Sequence, residues 1–191
     1  MIENNTSLKV VTWNIKGGAA LGWNNKYKIK SEAVDKILEQ KADFIILTEF
    51  VLANGLDYLF EKLMDNEYIW FTTSCTGKNG ILIALKRNLV DDKNLIEQVY
   101  HNNIITSEFN GCNVLQVTFP LKNSKTLSVI GCRIETGNES NLQDQYDFER
   151  QCFDEVLIPK IRELSKSDIC ILCGDFNNAK HYGDFKKHLT K

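Results

Sequence analysis

Five strand-like segments follow one another with no helix between them: Tyr68–Thr73, Gly80–Lys86, Glu97–Thr106, Cys112–Phe119 and Thr126–Ile134. Turn signals separate them, among them Thr76-Gly77-Lys78-Asn79-Gly80, Asn110-Gly111 and Lys122-Asn123-Ser124-Lys125. Gly and Asn there supply the backbone angles that a reversal needs. On either side of this block helices and strands alternate. The order β-α-β-α, then several strands, then α-β predicts an α/β (α+β) sandwich in which helices cover packed sheets.

The flanking elements read as follows. Leu8–Trp13 is a β-branched run that leads into Asn14 and predicts a strand, with Trp13 expected in the core. Ile15–Asn25, with Gly17, Gly18 and Gly22, is a loop. From Tyr27 to Lys41 the residues Ile29, Ala33, Val34, Ile37 and Leu38 recur at helical spacing. Asp43–Thr48 is apolar almost throughout and predicts a strand buried on both faces. Leu56, Leu59, Phe60, Leu63 and Met64 mark a second helix. Phe148, Cys152, Val156, Leu157, Ile161 and Leu164 mark a third, from Gln143 to Ser165, which Pro159 is expected to kink or divide. A last strand, Ile169–Leu172, leads into Gly174.

A chain of 191 residues is long enough for a full core, and 1–191 is expected to form a single domain. Apolar residues at 43% and charged residues at 25% give the balance of an ordinary soluble globular protein. The formal charge of −2 supplies no overall basic field, so a nucleic-acid partner requires a local patch. No basic stripe with interleaved aromatics is visible. Apolar runs of strand length exclude a membrane-spanning helix. The polar start, Met1–Ser7, lacks the basic and apolar regions of a signal peptide. Six cysteines are scattered through the chain, and Cys170 and Cys173 have C-x-x-C spacing. In a strand, residues three apart face opposite sides, which argues against a metal or redox pair. Buried free thiols suit a reducing compartment, and the cytoplasm is the expected location.

Three segments share one design, an apolar strand whose last residues are polar. They end in Thr12-Trp13-Asn14, in Thr48-Glu49 and in Gly174-Asp175-Phe176-Asn177. The last places a proton acceptor and an amide donor at one strand end. Hydrolysis of a phosphate ester needs such a pair, a base to orient and deprotonate water and a donor to hold a phosphoryl oxygen. With T-W-N-I-K-G at the start, I-L-T-E-F around Glu49, N-G-I-L-I-A-L-K-R in the hairpin region and G-D-F-N near the end, the sequence resembles the endonuclease/exonuclease/phosphatase family of the DNase I-like superfamily. The motifs occur in the right order over nearly the whole chain.

That resemblance implies a DNase I-like β-sandwich of two mixed sheets flanked by helices, and Mg²⁺-dependent hydrolysis of a phosphate ester, with Mn²⁺ an alternative ion. Glu49 would be the main carboxylate ligand of the metal, with Asn14 beside metal and phosphate. Asp175 would activate the attacking water and Asn177 would donate to the phosphate. Arg133 falls where many members place a polar residue, and a guanidinium there would either clamp phosphate or form a surface ion pair. The substrate class stays open among DNA, RNA, phosphoinositides and other phosphate esters. Plain alternatives exist, since Asn14 can terminate a strand and Glu49 can be a solvated carboxylate.

The sequence departs from the family pattern after Asn177. Members continue through further strands to a closing Asp-His pair, which is absent here. The histidines are His101, His181 and His188, and the last two stand in a polar, Lys-rich tail that reads as solvated. The expected sandwich therefore lacks its last strands and has an open sheet edge, as either a fragment of a longer protein or a short form whose turnover is impaired or lost. The alternative function is a truncated, non-catalytic remnant that binds metal or phosphate without turnover.

Overall fold

The computed structural model describes residues 7–15, 29–51, 56–73, 80–89, 100–105, 112–120, 126–134, 147, 149–164 and 169–177. For 100–105 and for Cys112 and Pro120 the description is limited to the backbone. Strands β1 (Val10–Asn14), β2 (Phe44–Phe50), β3 (Tyr68–Thr72) and β4 (Gly80–Lys86) form one sheet in the order β1-β2-β4-β3. Strands β5 (Tyr100–Ile105), β6 (Cys112–Pro120), β7 (Thr126–Ile134) and β8 (Ile169–Asp175) form a second sheet in that order. Both sheets are mixed. β1 runs parallel to β2, and β7 parallel to β8, while the remaining pairs are antiparallel.

Helix α1 (Ser31–Glu39) joins β1 to β2, α2 (Asp57–Asp65) joins β2 to β3, and a third helical segment lies between β7 and β8. The alternation of side chains along each strand decides which layer each residue joins. On β2, Ile45 and Leu47 pack with Val34 and Ile37 of α1 and Leu59 and Leu63 of α2. Their neighbours Phe44 and Ile46 point the other way. They meet Leu115, Val117 and Phe119 of β6 and Leu127 and Val129 of β7, between the sheets. The far face of the second sheet, with Val114, Ile130 and Cys132, packs on Cys152, Val156, Leu157 and Leu164. The layers are helices, sheet, sheet, helix. Phe44 to Leu47 are fully buried, as their unbroken apolarity predicts.

The structure corrects several expectations. Trp13 is 42% exposed. It lies near the end of β1, which pairs on one side only among the described residues, so no further strand covers it. The first helix starts at Ser31, preceded by the buried Ile29, and ends before Lys41, whose φ of +49° stops the helical winding. Met64, expected on the apolar stripe of α2, is 60% exposed. Near Pro159 the winding of the third helix changes. Cys152–Leu157 has π winding and runs directly into the α-helix α3 (Ile158–Leu164). A proline has no N–H to donate and its ring crowds the carbonyl one turn back, and the wider turn accommodates both.

Candidate functional site

The residues singled out at three strand ends meet at one rim of the sandwich. On β1 the residues alternate between the helix-facing Val11 and the inter-sheet Val10, which puts Asn14 on the inter-sheet face. On β8, Ile171 and Cys173 pack between the sheets, and Asp175 follows on the same face. Asn14 Nδ2 donates to Asp175 Oδ2 at 2.6 Å, across the two sheets and 161 residues of sequence. The other carboxylate oxygen, Oδ1, accepts the backbone N–H of Asn177 at 3.1 Å. Asp175 is thereby held from both sides.

Gly174 makes this turn possible. Its φ is +155°, and a Cβ there would come within 1.8 Å of the Cys132 carbonyl oxygen on β7. Only glycine fits. Asn177 follows with φ +51°, a left-handed conformation that Asn tolerates better than most residues. Its Nδ2 donates to the backbone carbonyl of Ile134, the last residue of β7. The side chain therefore ties the end of β8 to the end of β7. An amide nitrogen carries two hydrogens, and this bond uses one of them.

Glu49 and Arg133 form the other half of the rim. Thr48 pairs with Ile81 and Phe50 with Gly80, which leaves Glu49 as the extra residue of a bulge, with φ +52°. The bulge re-aims the Glu49 side chain at the end of β2, where Thr48 is opposite Asn14. Arg133 stands opposite Asp175 on β8 and opposite Asn113 on β6. Its Nη2 lies 3.4 Å from Glu49 Oε1, and its residue is 8% exposed. Two residues earlier on the same face, a Cβ at Gly131 would approach Ile81 Cγ2 to 2.8 Å and Ile46 Cγ2 to 3.2 Å. The missing side chain lets β7 approach the first sheet closely just before Arg133 reaches across.

Asn14, Glu49, Arg133 and Asp175 thus come from four strands and two sheets into one cluster, with Asn177 at its edge. The Arg133 guanidinium is engaged with a carboxylate. Two further polar residues share the rim. Thr48 Oγ1 is buried with no hydrogen-bond partner among the described residues, and alternation along β6 puts Asn113 on the face of Leu115 and Val117. Sequence reading gave Asn113 no role, although a polar residue in phase with an apolar inter-sheet row is a signal that strand alternation offers. His181 and His188 lie outside the described residues, and His101 is described by its backbone alone.

The sequence matches the profile of the Endonuclease/Exonuclease/phosphatase family over residues 11–191. The chain belongs to that family. Solved structures with the same fold include a D. rerio TDP2 humanized by 14 mutations, 20% identical with a TM-score of 0.64, over 89% of this chain and 62% of that one. Another D. rerio TDP2 structure holds a single-strand DNA product. The human Nocturnin catalytic domain with a bound sulfate anion is 17% identical with a TM-score of 0.63, over 96% of this chain and 69% of that one. ANGEL2, a 2′,3′-cyclic phosphatase in complex with adenosine-2′,3′-vanadate, is 15% identical with a TM-score of 0.66, over 94% of this chain and 57% of that one. No curated protein sequence matches significantly. The family member described here spans about three fifths of the two D. rerio TDP2 chains. No described helix is long and apolar enough to cross a membrane.

Among the described residues no three His, Cys, Asp or Glu side chains cluster as a metal site. The donors at the rim are hard oxygens nonetheless, the Glu49 and Asp175 carboxylates and the amide oxygen of Asn14. Mg²⁺ keeps several waters and takes one or two carboxylates from a protein. The donor set fits such an ion.

Proposed function

We propose that this family member hydrolyses a phosphate ester by attack of water, with Asp175 as the base. The observation that carries the reading is the cross-sheet bond from Asn14 to Asp175 at 2.6 Å, together with the Asn177 N–H on the other oxygen. Each carboxylate oxygen has a second lone pair, so Asp175 can accept a water proton while both neighbours hold its plane. As the water oxygen bonds to phosphorus, Asp175 takes the proton and the ester oxygen leaves. In this reading the second amide hydrogen of Asn177 and the guanidinium of Arg133 donate to phosphoryl oxygens, where negative charge gathers.

Glu49, with Asn14 Oδ1, would hold a divalent cation, Mg²⁺ or Mn²⁺. Such a cation supplies charge neutralisation at a phosphoryl oxygen. The substrate class is a phosphate ester, a nucleic acid among the candidates, since solved relatives of the same fold hold single-strand DNA and an adenosine compound. The buried free thiol of Cys132 suits a reducing cytoplasm.

The test is release of p-nitrophenol from bis-p-nitrophenyl phosphate in Mg²⁺ or Mn²⁺. Turnover above the metal-only background should fall by about 10²–10⁴ in Asp175→Asn and stay unchanged in Lys36→Ala, half of an exposed ion pair on α1. Equal rates for wild type and Asp175→Asn would remove the proposed base.

A further inference from the structure

The ion pair between Glu49 and Arg133 differs from the other ion pairs of the described residues. Lys36–Glu39, Arg150–Asp154 and Lys160–Glu163 are helix neighbours three or four residues apart, each with a well-exposed partner. Glu49 and Arg133 are 84 residues apart, on different sheets, with side chains only 20% and 10% exposed. A carboxylate that far out of water requires a positive partner. Arg133 supplies it from a backbone fixed by pairing to β6 and β8. The contact is nevertheless long. At 3.4 Å, Nη2 stands well outside the roughly 2.7–2.9 Å of a tight charge-assisted hydrogen bond.

From this geometry we infer that Arg133 is a built-in counter-cation of Glu49 that competes with a divalent cation for the same carboxylate. The inference rests on the reading of Glu49 as the metal carboxylate. Two positive groups beside one partly buried carboxylate repel each other, so the guanidinium weakens cation binding for as long as it stays on Glu49. Linkage is reciprocal, and a bound cation loosens Arg133 from Glu49 by the same factor. The same guanidinium is the group proposed to grip phosphate. Each N–H spent on Glu49 is lost to phosphate, so release from Glu49 by the cation would ready more of the guanidinium for the substrate. The pair thereby couples phosphate grip to metal binding.

Calorimetric titration of Mn²⁺ into the full chain, as wild type, Arg133→Gln, Arg133→Lys and Glu49→Gln, tests the exchange. Arg133→Gln should bind Mn²⁺ about tenfold more tightly than wild type, ~1.4 kcal/mol. Glu49→Gln should lose binding with or without Arg133→Gln. Unchanged or weaker binding in Arg133→Gln, with binding still lost in Glu49→Gln, would overturn the exchange and leave Glu49 as a ligand. Binding in Glu49→Gln as tight as wild type would overturn the metal reading itself, and the exchange with it. Should Arg133→Gln fail to fold by circular dichroism, the wild-type chain still decides. The Nε–H resonance of Arg133, assigned by its loss in Arg133→Lys, should move on titration with Mg²⁺. A signal unmoved at saturating Mg²⁺ would overturn the proposal.

Discussion

Glu49 and Asn177 both hold left-handed backbone, at φ +52° and +51°, a conformation that costs a non-glycine residue on the order of 1–3 kcal/mol. That both belong to the rim cluster fits a site whose geometry the surrounding sheets impose. At this scale two substitutions separate packing from chemistry. Gly174→Ala would drive a methyl group to within 1.8 Å of the Cys132 carbonyl oxygen. A loss of ~3 kcal/mol or more in urea unfolding is expected, and a loss under ~1 kcal/mol would show that β8 can shift away from β7. Asn14→Ala removes one exposed donor from Asp175, so stability should fall by only about 1 kcal/mol. Turnover should fall about 10²-fold or more, because the base loses its orientation. Equal kinetics in Asn14→Ala and wild type would make that bond an ornament of the resting protein. Sequence patterning made Asn14, Glu49 and Asp175 visible as polar ends of apolar strands. It could not show the bulge at Glu49, because a Glu with positive φ leaves no compositional trace. Nor could it show that Arg133 faces Glu49, a contact set by the approach of two sheets.

Single elements were the most legible part of the chain, and β8 shows why. Three-residue spacing in a strand places Cys170 and Cys173 on opposite faces, and in the structure Cys170 packs toward α3 and Cys173 between the sheets. A disulfide between them is not compatible with the strand. Burial pushes the thiols of both upward, and that of Cys132 to about 12, with Cys173 and Asp175 adding to the burial. A thiol kept protonated is a poor nucleophile. Peptide mapping of air-oxidised native protein should therefore find no Cys170–Cys173 bridge, and Cys132 should resist iodoacetamide at pH 8 until urea unfolds the chain. Rapid labelling of Cys132 in the native protein would show that the packing of β7 on the third helical segment opens readily. The π winding before Pro159 was less legible, since a proline signals disruption without choosing among a kink, a break and a wider turn.

For the whole molecule, the layer order followed from the sequence of elements, because apolar stripes and rows must be buried against one another. The strand order β1-β2-β4-β3 did not, since pairing depends on contacts between distant segments. Those contacts also set how stability responds to pH. Tyr68, whose hydroxyl donates to the Ala42 carbonyl at 2.5 Å, is raised to about 12, chiefly by burial and further by Asp43. Cys132 is raised to about 12 from an ordinary 9.0. Both groups are neutral when protonated, and folding holds the proton on. Below about pH 7.5 folded and unfolded chains carry the same protons at these two sites, and the contribution of each is fully present. As pH rises past the ordinary values the unfolded chain releases protons that the folded chain keeps, so stability falls with pH. The loss continues up to the folded values near 12. For Cys132, which is fully buried, the full shift corresponds to on the order of 4 kcal/mol. Urea midpoints at pH 6.5, 7.5 and 10.5 should therefore be level over the first interval and fall over the second. Cys132→Ala should start lower, because a buried side chain is lost, and then fall less steeply. Parallel declines in the two proteins would mean that the thiol is not what the alkaline transition titrates.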